Sequence, residues 1–431
     1  MLRRLDLRGA GDDLRGRLPR PHAQVEPPIE EVRAVLADVR ARGDDALREL
    51  TERFDGARID ALRVPDEQVQ AALEEIPADL RAALQVAHAN IRSYHEQQRH
   101  PDASHRNGGI TVRELQRPVD RAGCYVPSNL APLVSTVLMT ATVAKVAGVP
   151  EVVLVTSPQA DGSVAPGILA AAALAGVDEV YRVGGPAAIG ALAHGTESIA
   201  PVDVIVGPGS ARVAQAKREV ASAGLVGVPS AFAGPSEVVV VADGSVPPEY
   251  AAIDVVLQAE HGPDGLAWLV TWDESVADAV EARVAEIVPR SRRREHLEAT
   301  LAEGGYAVVC DDAAQALAVA NAIAPEHLEL LVADPDALLP LVRHAGAVFC
   351  GPSAPASLGD YLAGPNHVLP TYGSARFSGA LRVDDFLKHI HVVSVDAAGL
   401  AEVAPHVEVL AAYEGLDAHA ESVRIRQRRT P

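Results

Sequence analysis

From Pro28 the apolar residues Ile29, Val32, Leu36 and Val39 recur at steps of three to four and Gly43 closes the run, so the spacing predicts an amphipathic helix. A second helix is expected from Asp44 to Phe54, stopped by Asp55-Gly56. Pro65-Asp66-Glu67 opens a third with Val69, Leu73 and Ile76 on one face, and Pro77 to Gln98 makes a fourth. Beyond Gly109 the texture changes. Short apolar runs at Val152–Thr156, Glu179–Val183, Val202–Val206, Glu237–Ala242, Trp268–Thr271, Tyr306–Cys310, Leu328–Val332 and Ala347–Cys350 read as strands. Between them lie alanine-rich helical stretches at Pro166–Ala175, Ala187–Ala193, Ala211–Ala221, Glu249–His261, Ser275–Val288 and Ala313–Ile323. Strand and helix in alternation imply parallel, buried sheets covered on both faces. So many units exceed one sheet, and an α/β fold of two Rossmann-like lobes is expected, divided near Ala233-Gly234-Pro235-Ser236.

Composition agrees with that picture and narrows the function. A chain of 431 residues is too long for one ordinary core. Its 48% apolar and 22% charged residues are the balance of a folded globular protein, and with only 3% aromatics the core must be built from Ala, Val and Leu. The formal charge of -20, from 58 acidic and 38 basic residues, repels a phosphate backbone, so no nucleic-acid partner is expected. Cys124, Cys310 and Cys350 match no metal or redox spacing and suit a reducing compartment as small buried side chains. Asp6, Asp12 and Asp13 interrupt the arginine-rich start and no apolar segment follows, which argues against a secretory signal. The apolar stretch Leu130–Val149 carries Ser135, threonines and Lys145, so no membrane span is expected. A cytoplasmic location follows.

Three places could carry chemistry. No GxGxxG follows a strand, but Gly184-Gly185-Pro186 and Gly207-Pro208-Gly209-Ser210 each follow a strand and open a helix, offering backbone N–H groups to a phosphate. Gln258 and His261 are three apart and share a helical face, an oxygen and nitrogen pair that suits zinc, or manganese and similar ions. Asp360 and the tail histidine His419 are candidates to complete that set. Finally, Pro325-Glu326-His327 places an acid beside an imidazole, on a turn, ahead of the segment Gly359–His367. A fourth string, His95-Glu96-Gln97-Gln98-Arg99-His100, has its histidines one residue too far apart for a zinc-protease helix and reads as a polar helix end.

The ordered strings Gly123-Cys124-Tyr125-Val126-Pro127, Ser135-Thr136-Val137-Leu138-Met139, Val206–Gly209, Ala233–Glu237, Gln258–His261, Pro325–His327, Leu358–Thr371, Asp385–Lys388 and Glu414–Ala420 together resemble the histidinol dehydrogenase family over nearly the whole chain. The resemblance implies a zinc site of Gln258, His261, Asp360 and His419, which are also substrate contacts, in a pocket further lined by Ser236, Glu326, His327, His367 and Glu414. Glu326 and His327 would be catalytic. The implied reaction oxidises L-histidinol through L-histidinal to L-histidine, reducing two NAD in succession.

An N-terminal arm (1–24) is expected, with a lobe for metal and catalysis (25–124 with 237–381) and a lobe for NAD (125–236). A C-terminal domain (382–431) would reach a second subunit in an intertwined homodimer. Tyr125, Ala187 and Ser210 are the expected cofactor contacts. Relatives carry two glycines where this chain has Ser128-Asn129, a glutamine where it has Ala187 beside Pro186, and an asparagine where it has Ser210. The alternatives are a paralogous dehydrogenase of another small polar alcohol and a metal-binding protein without catalysis.

Overall fold

The structure is a computed structural model that describes residues 2–11, 13–19, 28–128, 131–229, 236–260 and 265–428. The strands run in chain order as β1 (Arg3–Asp6), β2 (Ala103–Asn107), β3 (Ile110–Pro118), β4 (Arg121–Val126), β5 (Glu151–Thr156), β6 (Glu179–Arg182), β7 (Val204–Val206), β8 (Glu237–Ala242), β9 (Leu266–Thr271), β10 (Gly305–Val309), β11 (His327–Leu331), β12 (Ala347–Cys350) and β13 (Leu387–Val395). Among the described residues they build a six-stranded sheet of order β1-β10-β9-β8-β11-β12, a four-stranded sheet β6-β5-β4-β7 and a three-stranded sheet β13-β3-β2. Every pair in the first two is parallel, and the third is antiparallel.

Both parallel sheets are wound alike. In the smaller one β4, β5 and β6 step outward and β7 returns to the far side of β4. In the larger one β8, β9 and β10 step outward and β11 returns to the far side of β8. Each lobe therefore has one topological switch point, the place where open α/β sheets leave a crevice.

Helices cover both faces because the strands are apolar on both. On one face of the larger sheet Val238, Val240 and Leu331 pack with Ala252, Val255, Val280 and Leu297 from the helices Pro248–Ala259, Glu274–Ile287 and Arg294–Gly304. On the other face Val239, Trp268 and Leu328 pack with the helix Ala313–Ile323 and with Leu7, Leu14 and Leu18 of the N-terminal arm, whose β1 extends the sheet edge. The arm lacks a helical or alternating pattern in sequence because its strand is only four residues long. The helices of the first hundred residues, grouped by the sequence reading with the larger lobe, bury their apolar stripes on the smaller sheet. Val32, Leu36 and Val39 lie on one face with Val153 and Val155; Val69, Ala72 and Ile91 lie on the other with Leu154.

The helices and strands that were predicted begin and end within two residues of the observed ones. Missing from the prediction are β1, the buried β4, the exposed β2 and β13 and the half-buried β3, together with the helices Arg294–Gly304, Ala397–Tyr413 and Asp417–Arg428. The expected division at Ala233–Pro235 lies outside the described residues. No helix among the described residues is long and apolar enough to cross a membrane.

Candidate active site

The larger lobe's switch point is occupied by titratable side chains at the amino ends of β8 and β11. The helix Ala313–Ile323 closes on Ala324, a non-glycine residue held at φ 58°, and Pro325 then redirects the chain so that Glu326 precedes the strand and His327 begins it. The turn expected for the pair therefore holds for Glu326, while His327 is fixed by strand pairing. The first residue of the neighbouring strand, Glu237, pins both through its backbone. Its N–H donates to Glu326 Oε2 at 3.2 Å, and its carbonyl lies 3.3 Å from His327 Nδ1. With the Nδ1 proton donated to that carbonyl, Nε2 is the basic nitrogen. It faces Asp360 Oδ1 at 3.9 Å, while Nδ1 is 3.8 Å from Glu326 Oε2.

Asp360 sits in the last turn of the short helix Ala356–Tyr361, and its carbonyl accepts a hydrogen bond from His367 Nδ1 at 2.6 Å. Asn366, next to His367, reaches across to the carbonyl of Met139 in the smaller lobe. Burial pushes the Glu326 carboxyl up to about 8, against the Glu237 N–H that favours its charged form. The Glu237 side chain is likewise pushed up to about 8 by burial.

Gln258 occupies the last turn of the helix Pro248–Ala259 and is 1% exposed, yet among the described residues neither its amide oxygen nor its amide nitrogen has a hydrogen-bond partner. A buried unpaired amide is expensive unless something else satisfies it. Its height over the sheet follows from its neighbours. Asp254 hydrogen-bonds Glu329, and from there four residues of helix advance about 6 Å while two residues of strand run back about 6.6 Å. Ideal rises thus put Gln258 at roughly the height of His327 along the strand. Oxygen donors in the last turns of two helices suit a cation, because helix carboxyl ends carry partial negative charge.

Of the remaining expected residues, His261 lies outside the described residues. Ser236 is half-buried beside Glu237, and its hydroxyl bonds Glu326. Glu414 and His419 are exposed on the tail, at and beyond the end of the helix Ala397–Tyr413. Among the described residues no three His, Cys, Asp or Glu side chains form a metal cluster. Three buried carboxyls were not singled out from sequence: Glu237, Asp254 and Glu329. Their signal was present, since Glu329 stands two residues from His327 in an apolar strand and Asp254 one turn before Gln258. His95, read as a polar helix end, is in fact buried, with Nδ1 at 2.9 Å from Gln98 Oε1.

The smaller lobe presents the opposite ends of its strands. Gly184-Gly185 after β6 and Gly207–Ser210 after β7 lead into the helices Gly185–His194 and Ala211–Ser222. Gly207 has φ 107°, and a Cβ there would stand 2.1 Å from the Tyr125 carbonyl oxygen, so only glycine fits. The Gly185 N–H donates to the Tyr125 hydroxyl at 3.3 Å, and Lys217 Nζ, buried beneath, donates to the Gly207 carbonyl. A cavity of about 360 Å³ lies over these loops, lined by Thr51, Asp55, Pro186, Ala187, Ser210 and Arg212 among others. Ser210 caps its helix by accepting the Val213 N–H at 3.4 Å, and Tyr125 is 5% exposed. Ser128 donates to the Ser157 carbonyl at 2.8 Å; Asn129 lies outside the described residues.

Two similarly wound α/β lobes, one with glycine loops at helix amino ends and one with a buried acid-imidazole pair, have the make-up of a two-lobed enzyme, and the family match makes that enzyme an oxidoreductase. The sequence model for histidinol dehydrogenase matches residues 18–427, and the chain belongs to that family. It is 48% identical over 396 residues to histidinol dehydrogenase of Parasynechococcus marenigrum, covering 92% of this chain and 90% of the relative. It is 46% identical over 432 residues to that of Thermobifida fusca, covering 99% and 98%. The solved structure of histidinol dehydrogenase from Elizabethkingia anophelis superposes with a TM-score of 0.94 at 33% identity, covering 99% of this chain and 98% of that one.

Proposed function

We propose that the protein is a zinc-dependent histidinol dehydrogenase that oxidises L-histidinol through L-histidinal to L-histidine with two NAD, in histidine biosynthesis in the cytoplasm. The observation that carries this reading is the buried amide of Gln258, without a hydrogen-bond partner among the described residues, on the helix whose Asp254 contacts Glu329 two residues along the strand from His327. Gln258, His261, Asp360 and His419 would hold the zinc, which when bound supplies a Lewis acid that grips and orients the substrate, while NAD accepts hydride. His327 takes the proton of the substrate hydroxyl on Nε2, its Nδ1–H held by the Glu237 carbonyl. Glu326, whose carboxyl exchanges its proton near neutrality, takes the proton of the water that adds to the aldehyde and so prepares the second oxidation. Ser236, His367 and Glu414 line the pocket.

The exposed tail supplies the dimer half of the proposal. Val393, Val409, Leu410 and Tyr413 are 67%, 69%, 65% and 92% exposed, an apolar surface suited to a second copy of the chain. Glu414 and His419 would then serve the neighbour's site. The NAD lobe is assigned to 125–236, with Tyr125, Ala187 and Ser210 beside the cofactor. A paralogue acting on another small alcohol is the second reading, favoured by the apolar Pro186 and Ala187 where the cavity needs polar contacts. Purified protein with zinc, NAD and L-histidinol should give L-histidine and two NADH per turnover. Turnover of a different alcohol but not histidinol would establish the second reading instead.

A further inference from the structure

We propose that Glu329 is a positioning residue for the cation site: its carboxyl group tethers the two helices that carry Gln258 and Asp360. The inference rests on the reading of those two residues as metal ligands. Glu329 is completely buried on β11, on the same strand face as His327 two residues earlier. Its Oε1 accepts the N–H of Ala356 at 3.1 Å. Its other arm is a carboxyl–carboxyl contact with Asp254, and among the described residues no N–H or resident hydroxyl donates to Oε2. Two carboxyls in contact need a proton between them, and burial raises both, so the proton stays.

The spacing gives the tether its purpose. Ala356 stands four residues before Asp360, and Asp254 four residues before Gln258. One side chain therefore fixes each helix one turn ahead of its ligand, on the face the ligand uses. Because Glu329 also belongs to the strand that begins with His327, the same residue sets both ligands relative to the base. Burying two acids between a strand and a helix is a poor way to gain stability, since apolar residues of similar volume would serve as well or better. What an acid pair adds is direction. A neutral amide such as Gln258 is a weak ligand whose contribution depends on being held in place, and outer contacts of this kind are typically worth about 10- to 100-fold in metal affinity.

The test is zinc affinity of the full-length protein, measured by competition with a chromophoric chelator, alongside thermal unfolding and steady-state kinetics. Glu329→Gln keeps an oxygen for the Ala356 N–H and offers an N–H to Asp254, so its affinity should stay within about threefold of wild type. Glu329→Leu keeps the bulk and loses both arms; zinc should bind on the order of 10- to 100-fold more weakly, with kcat/KM falling in parallel at limiting zinc. Val240→Ala, which loosens the neighbouring strand without touching the tether, should bind zinc as wild type does. If Glu329→Leu does not fold, Asp254→Ala removes the Gln258 arm alone and should still weaken zinc by on the order of 10-fold. Wild-type zinc affinity in Glu329→Leu or Asp254→Ala would overturn the proposal. So would an equal loss in Glu329→Gln, or a loss in Val240→Ala as large as in Glu329→Leu. Unchanged zinc binding in Gln258→Leu would instead refute the ligand reading on which the tether rests.

Discussion

The two lobes share one winding pattern and use it from opposite ends. In the smaller lobe the switch point between β4 and β7 is capped at the strands' carboxyl ends by glycine loops and helix amino termini. In the larger lobe the switch point between β8 and β11 carries its functional groups at the strands' amino ends, beside the last turns of two helices. The helix dipole makes the first kind of end suited to an anion such as a pyrophosphate and the second suited to a cation. A repeated scaffold thus offers two chemically complementary sites without any change of topology.

They differ as well in which polar groups they bury. In the smaller lobe Ser210 caps its own helix and Tyr125 accepts the Gly185 N–H, while Thr156 and Arg182 at the strand ends keep buried side-chain atoms without a hydrogen-bond partner among the described residues. The larger lobe buries Glu237, Asp254, Gln258, Glu326 and Glu329 within two adjacent strands, the turn before one of them and one helix. Among the described residues nothing hydrogen-bonds the Gln258 amide.

The strongest way to break the contrast is to remove the base. His327→Ala should lower kcat by about 10²- to 10⁴-fold while zinc content, measured by metal analysis, stays at the wild-type level; a metal-free variant would show that His327 supports the ligand site instead. Next in size, Gln258→Leu should weaken zinc binding at least by the roughly 10- to 100-fold that loss of a supporting contact alone produces. It should also raise the melting temperature of the metal-free protein, because about 1–3 kcal/mol of unpaired buried amide is relieved. In the smaller lobe the effects should be modest. Ser210→Asn retains a good helix cap and lengthens the polar reach, so titration calorimetry should find NAD bound about 2- to 10-fold more tightly, the equivalent of one hydrogen bond.

The smallest effect concerns pH. Glu237 and Glu326 are raised by burial from an ordinary 4.5 to about 8. Below pH 4.5 folded and unfolded chains are both protonated there. Between 4.5 and 8 only the unfolded chain releases those protons, so stability of the metal-free protein should fall as pH rises through this window and level off above it. Glu237→Gln should make the fall shallower in thermal melts taken across that range; an unchanged slope would mean Glu237 is not held protonated.

Much of the architecture was legible because alternation of apolar strands and alanine-rich helices is a local signal. Pro166–Ala175 and Glu237–Ala242 were read to the residue. The glycine loops were legible for the same reason, as each stands between a strand and a helix. The antiparallel sheet was not, since β13 pairs with β3 across some 270 residues and both carry exposed side chains. Nor was Glu329 legible as part of the site. A lone acid in an apolar strand says that something unusual is buried, but its partners Asp254 and Ala356 meet it only through the fold. Glu326 with His327, and Gln258 with His261, stood out from the residues themselves and Asp360 as a candidate beside them; spacing alone left the metal and its ligand set open, and the roles came from family resemblance.

The central claim is that two helix carboxyl ends in the larger lobe present Gln258 and Asp360 to one cation beside His327. Anomalous diffraction at the zinc edge from zinc-loaded crystals tests it directly. The account predicts a single strong peak about 2.0–2.2 Å from Gln258 Oε1 and from an Asp360 carboxylate oxygen. Zinc bound elsewhere, with the Gln258 amide still buried and unpartnered, would contradict it.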